Sequence, residues 1–164
     1  RGFVYFMANG KEEDEDPYYQ HLYRVSLDGT RLRQLDKKNY YHSVSMNEAN
    51  SYFVDNFSRV NTEPVSGLYS AAGKKVLDLE TADMSQMIAA GFKYPEPFRV
   101  KSADGVTDIY GVMTKPFDFD STKSYPVIAY VYPGPQTESV AKSFTQLRHH
   151  TTHLAQFGFI VITI

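Results

Sequence analysis

Along the first half of the chain, apolar and polar residues fall into short alternating runs divided by turn signals, the pattern of half-buried strands. Residues 2–7 form the first such run. Val4-Tyr5-Phe6-Met7-Ala8-Asn9 is echoed by Ser51-Tyr52-Phe53-Val54-Asp55-Asn56, with the Tyr-Phe pairs 47 residues apart. Leu22-Tyr23 is echoed by Leu68-Tyr69 at a spacing of 46. Each second pair is followed by a turn signal, Asp28-Gly29 or Ala72-Gly73, and then by another short strand at residues 30–35 or 74–79. A period of about 40–50 residues with several short strands per copy is the pattern of propeller blades. One small twisted sheet cannot bury both of its faces alone, so blades stack. Residues 42–50 predict a strand and a tight turn. Residues 83–90 predict a short helix with Met84, Met87 and Ile88 on one face, Asp83 as N-cap and Gly91 as its stop.

The pattern changes near Tyr94. Tyr94-Pro95-Glu96-Pro97 is extended by proline geometry. Residues 98–102 and 107–115 predict two strands joined at Asp104-Gly105, and residues 117–125 a polar loop. Residues 126–132 form an apolar strand broken by Pro133-Gly134-Pro135. A helix is expected between residues 139 and 156, with Leu147, His150, Leu154 and Phe157 on one face and Gly158 as its end. The run at residues 159–164 predicts a strand buried on both faces of a parallel sheet. Such a strand needs covering neighbours, which reads as an internal piece of a longer protein. Two antiparallel strands and then strand–helix–strand is how an α/β-hydrolase domain begins, although the last three elements suit any α/β fold. The expected class is therefore mixed: the last blades of a β-propeller over residues 1–92, then the truncated start of an α/β-hydrolase domain over residues 93–164.

Composition narrows the chemistry. The 164 residues are 42% hydrophobic and 22% charged with a net charge of −2, which excludes a wholly disordered chain. The balanced charge carries no footprint for nucleic acid, and no apolar run approaches the ~18 residues of a membrane span. With no cysteine, disulfides, zinc–thiolate sites, iron–sulfur clusters and thiol nucleophiles are all excluded. Thirteen tyrosines and eleven phenylalanines without tryptophan favour sheets. The carboxylate run Glu12, Glu13, Asp14, Glu15, Asp16 is expected to be a solvated loop held open by its own repulsion, since no glycine-spaced calcium loop surrounds it. His149 and His153 stand at i and i+4, but no glutamate occupies the metalloprotease position between them. No metal is expected there, and His150 is assigned to the packed helix face.

Phe98-Arg-Val, Asp104-Gly105, Tyr110-Gly111-Val-Met-Thr-Lys-Pro116, Tyr125-Pro126-Val-Ile and Tyr132-Pro133-Gly134-Pro135 together resemble the prolyl oligopeptidase family of serine peptidases, in its dipeptidyl peptidase IV branch. Leu22-Tyr-Arg-Val-Ser-Leu-Asp-Gly29, His42-Ser-Val-Ser45 and Tyr52-Phe-Val-Asp-Asn-Phe-Ser58 resemble the last propeller blades of that branch. The resemblance covers nearly the whole chain and is most specific from Tyr125 to Pro135. It implies a propeller that restricts access to a hydrolase site cleaving short peptides after proline or a small residue. It also implies one catalytic residue here, Tyr132, whose hydroxyl would donate to the oxyanion of the tetrahedral intermediate. Proline stands at 133 where many relatives have glycine or alanine.

A side-chain donor also suits the turn on physical grounds. In many α/β-hydrolases the loop after this strand offers a backbone N–H to the oxyanion, but Pro133 and Pro135 have none, leaving Gly134 and Gln136. No serine stands in a Gly-x-Ser-x-Gly setting, so nucleophile, acid and histidine are expected beyond residue 164 and the isolated chain is expected to be inactive. The remaining expectations are peptide substrates, no cofactor, no nucleic-acid or membrane contact from this segment, a homodimer of the full-length protein, and a periplasmic or secreted location. The alternative is a non-catalytic relative that binds or scaffolds.

Overall fold

The computed structural model describes residues 2–132, 134, 139–145 and 150–164. It divides into two compact units, the first of residues 1–59 and 63–82, the second of residues 60–62 and 83–164.

The first unit is two antiparallel meanders. β1 (Phe3–Asn9), β2 (Gln20–Ser26) and β3 (Arg33–Gln34) form a sheet in that order. β4 (Tyr41–Met46), β5 (Tyr52–Arg59), β6 (Thr62–Ser70) and β7 (Lys75–Thr81) form the other. The sequence repeat reappears as turn geometry. Gly29 donates to the Ser26 carbonyl at 2.8 Å and Gly73 to the Ser70 carbonyl at 2.8 Å, with φ of 77° and 79°. Both positions need the left-handed backbone that glycine adopts without steric cost. Leu22, Leu35 and Phe53 make the core between the sheets, with Tyr5, Met7, Val44, Met46 and Tyr69 packed on it. The Tyr5 hydroxyl and the Arg24 guanidinium both donate to the Ala71 carbonyl, at 3.2 and 3.1 Å, so the β6–β7 turn is tied to the neighbouring sheet. β7 is exposed along its whole length, with Val76, Leu77 and Leu79 about half open to solvent.

The second unit holds α1 (Ser85–Ala89), β8 (Glu96–Lys101), β9 (Asp108–Thr114), β10 (Val127–Tyr130), α2 (Thr151–Ala155) and β11 (Ile160–Thr163). Its sheet runs β10-β11-β9-β8. β8 and β11 each pair antiparallel with β9, and β10 pairs parallel with β11. A parallel pair requires a crossover, and α2 lies on it. Residues 83–92, grouped with the first domain by sequence pattern, pack in this unit. The buried Phe92 ring meets Tyr94 at 5.3 Å and Phe117 at 5.6 Å in edge-on contacts, which outweighs the weaker break in sequence pattern at Tyr94.

Several local expectations need correction. Asp83 does anchor the start of α1, accepting from the Ser85 amide at 2.8 Å, and Gly91 closes it at φ 94°. Of the proposed apolar stripe, however, only Met84 is buried and Ile88 is 52% exposed. The packed helix face through His150 does not form. His150 is exposed with a left-handed backbone at φ 53°, so α2 starts after it, and Phe157 lies past the helix end, 80% exposed. Leu147 and His149 are outside the described residues. β11 is buried on one face through Val161 and Thr163, while Ile160 and Ile162 on the other are only half covered.

The acidic run is not simply solvated. Glu13 and Asp14 are exposed, but the Glu12 and Glu15 side chains are 9% and 5% exposed. Glu12 accepts from the Tyr23 hydroxyl at 2.9 Å and pairs with Lys38 at 2.7 Å. Local partners outweigh mutual repulsion once specific donors face individual carboxylates.

Candidate functional site

β10 is short and apolar, and its register against β11 runs from Val127 opposite Ile160 to Tyr130 opposite Thr163. Both strands therefore end together, and their carboxyl ends lie side by side. In open α/β sheets this is where ligands and catalytic groups collect, because the loops leaving the strands diverge there. Tyr132 stands two residues beyond the end of β10 and is 58% exposed, as is its neighbour Val131 at 55%. A tyrosine this open is not a core packing residue; its phenol can be presented to a ligand. Pro133, Pro135 and Gln136, which bear on the choice between hydroxyl and amide donors, lie outside the described residues.

The sheet beneath is fixed by close packing. A Cβ on Gly111 would meet the Phe98 ring of β8 and come within 2.8 Å of the Thr163 carbonyl of β11. Only glycine lets β9 approach both neighbours, so this residue helps set the position of the β11 end. Phe117 donates its amide to the Gln156 side chain at 3.0 Å, tying the loop after β9 to the end of α2.

A second concentration of chemistry lies in the first unit and was missed in the sequence. His21 on β2 and His42 on β4 are 1% and 0% exposed, with rings 5.2 Å apart. His21 places Nε2 2.6 Å from a Glu15 oxygen and Nδ1 2.8 Å from Asp36. His42 places Nδ1 2.8 Å from Asp55 and Nε2 2.7 Å from the Lys37 carbonyl. Asp36 also accepts from the Leu22 amide and from Gln34 at 2.9 Å. Burial alone would lower the His21 pKa, but its hydrogen bonds and Coulombic attraction to Asp36 and Glu15 outweigh that and raise it. One ligand atom each from His21, Asp36 and His42 lies within 4.8 Å of the others, a spacing that could suit a metal. Every ring nitrogen nevertheless already faces an oxygen at hydrogen-bond distance, and His21 Nδ1 also has the Gln34 amide at 3.0 Å, so none is an open coordination position. No single sequence shows which histidines are buried, so only the nearness of two histidines to so many carboxylates could have signalled this cluster.

Comparison with known proteins bears on both units. Residues 1–64 match the family model for the dipeptidyl peptidase IV N-terminal region. The whole chain aligns at 30% identity over 170 residues with a protein of Emericella nidulans named "probable dipeptidyl-aminopeptidase B". Together these matches support a fragment of the dipeptidyl peptidase IV family. It aligns over its full length at 27% identity with human dipeptidyl peptidase 8. The crystal structure of Porphyromonas gingivalis dipeptidyl peptidase 4 superposes with a TM-score of 0.75 at 19% identity, covering 99% of this chain and 22% of that one, a likeness of fold. The chain spans 18% of the length of the Emericella relative and 19% of the human one.

Proposed function

We propose that this chain is the junction segment of a serine-type dipeptidyl peptidase, which releases dipeptides from the N-termini of peptides after proline or a small residue. In this reading the two meanders are the last blades of a propeller that restricts substrate access. The second unit is the opening of the α/β-hydrolase domain, with nucleophile, acid and histidine supplied by sequence outside these residues. The family match of the chain, together with the names of its relatives, supports the peptidase reading.

The contribution of this segment to catalysis is Tyr132. When a nucleophile attacks the scissile carbonyl, the carbonyl π electrons move onto oxygen and leave a tetrahedral oxyanion. A phenol O–H aimed at that oxygen donates a hydrogen bond that strengthens as charge develops, and it keeps its proton throughout. Collapse of the intermediate re-forms the carbonyl and breaks the C–N bond, and the leaving amine of the shortened peptide takes up the proton that the nucleophile gave to its base. The observation that carries this role is the exposed placement of Tyr132 just past the carboxyl ends of the parallel pair. The test is Tyr132→Phe in the full-length enzyme. Loss of one oxyanion donor lowers kcat by about 10²–10³ with KM little changed. An unchanged kcat would contradict the assignment. A periplasmic or secreted location and a homodimer of the full-length protein belong to the same proposal.

A further inference from the structure

The buried histidine pair of the first unit has no part in the peptidase reading, and its geometry has a consequence of its own. A neutral imidazole carries one N–H and one lone pair. His21 has a carboxylate oxygen at 2.6 Å on one side and at 2.8 Å on the other. In the neutral ring, one lone pair would lie beside a carboxylate oxygen in a buried site; at Nδ1 the Gln34 amide, 3.0 Å away, could donate to it, but the Asp36 oxygen at 2.8 Å would then lose its imidazole donor. Only the doubly protonated ring donates to both. The two carboxylates come from different segments, Glu15 from the acidic loop between β1 and β2 and Asp36 from just beyond β3. The second oxygen of Glu15 accepts from the Asn39 amide at 2.7 Å, so this one side chain also holds the stretch between β3 and β4.

We propose that His21 is a proton-operated latch: as an imidazolium it clamps the acidic loop and the β3–β4 connection onto β2, and its deprotonation releases them.

The surroundings are compatible with a retained charge. From the loop, Glu15 faces His21 directly, while Glu12 is engaged by Tyr23 and Lys38. From beyond β3 comes Asp36, and from β3 the neutral Gln34. From β4 comes His42, whose Nε2 is 4.0 Å from Asp36 and whose Nδ1 is held by Asp55 of β5. The Tyr23 ring lies edge-on to His21 at 6.5 Å, and its hydroxyl is occupied by Glu12. Three carboxylates, Glu15, Asp36 and Asp55, thus surround the two imidazoles. The sign follows from linkage. A histidine whose folded pKa is raised contributes stability that is complete below its unfolded value of about 6.5 and is lost as pH rises through the folded value. The raised direction for His21 has this sign.

The test is a nitrogen-15 and carbon-13 NMR titration of the complete chain from about pH 5.5 to 9, read at the His21 ring and the Asn39 amide. Both His21 nitrogens should show imidazolium shifts at the acidic end of the titration, with a midpoint above the ordinary imidazole value. Protection of the Asn39 amide, corrected for intrinsic exchange, should fall about tenfold per pH unit once the midpoint is passed. Glu15→Gln should lower the His21 midpoint and remove the pH dependence at Asn39, whereas exposed Glu13→Gln should change neither. The wild-type titration decides the matter even if Glu15→Gln does not fold. A His21 midpoint at or below the ordinary imidazole value, or Asn39 protection that does not follow the His21 titration, would overturn the latch. So would zinc sulfate, added alone, displacing both ring protons and raising the Tm, because the cluster would then be a metal site.

Discussion

Buried polar side chains are tolerated when every donor and acceptor has a partner, and removing one partner leaves the other stranded. His42 is fully buried between Asp55 and the Lys37 carbonyl. Asp55→Ala should therefore cost about 3–5 kcal/mol in urea unfolding of the chain, as breaking a buried pair does. A loss below about 1 kcal/mol would mean that His42 finds another partner at little cost. This residue scale was the least legible in the sequence. Tyr132 is singled out by local sequence alone, through its neighbours Tyr125 to Pro135. The histidine cluster is not, because its members are spread over residues 15–55 and meet only when two sheets stack. The acidic run misled for the same reason: repulsion between neighbours is visible in sequence, but the donors Tyr23, Lys38 and His21 that answer it are not.

At the scale of elements, turns were the most legible features. Asp28, Asp104 and Asp120 each accept the amide two residues on, at 3.0, 2.8 and 2.9 Å, and these hydrogen bonds with the following threonines hold their pKa values below the ordinary aspartate range. Such turns need only local chain and are written in local sequence. A helix does lie within residues 139–156, but its expected apolar face fails, because an apolar spacing does not guarantee helical backbone: the left-handed His150 breaks the face before α2 begins. The repeated turns allow a paired prediction. Nothing lies within 4 Å of a Cβ at Gly29, whereas at Gly73 it would meet the Leu35 carbonyl at 2.9 Å. Gly29→Ala should cost only the left-handed penalty of about 1–2 kcal/mol. Gly73→Ala should cost about 1–3 kcal/mol more, because backbone of the neighbouring sheet must move. Chemical denaturation of the two variants compares them directly, and equal losses would show that the sheets separate easily at that turn.

At the scale of the whole molecule, stability should be dome-shaped in pH. Hydrogen bonds from Lys38 and Tyr23 lower the Glu12 pKa from 4.5, so its contribution is present above that value and is lost as pH falls through the depressed one. His21 acts in the opposite sense on the alkaline side. Thermal unfolding across pH should give a maximum between the two limbs, and a Tm that rises steadily from neutral to alkaline pH would contradict the charged state assigned to His21. A division into two units is visible in sequence as a change from repeated short strands to strand–helix–strand. The exact division is not, since residues 83–92 join the second unit through the Phe92 ring cluster, a tertiary contact with no local signal.

The proposed oxyanion role of Tyr132 can be tested most directly by comparing two ligands on the full-length protein and its Tyr132→Phe variant. A dipeptide boronate forms a tetrahedral adduct with an anionic oxygen, whereas a non-covalent product-like amide does not. Selective loss of about 10²–10³ in boronate affinity, with amide binding retained, is the expected result for an oxyanion donor. Equal loss for both ligands, or loss for neither, would contradict it.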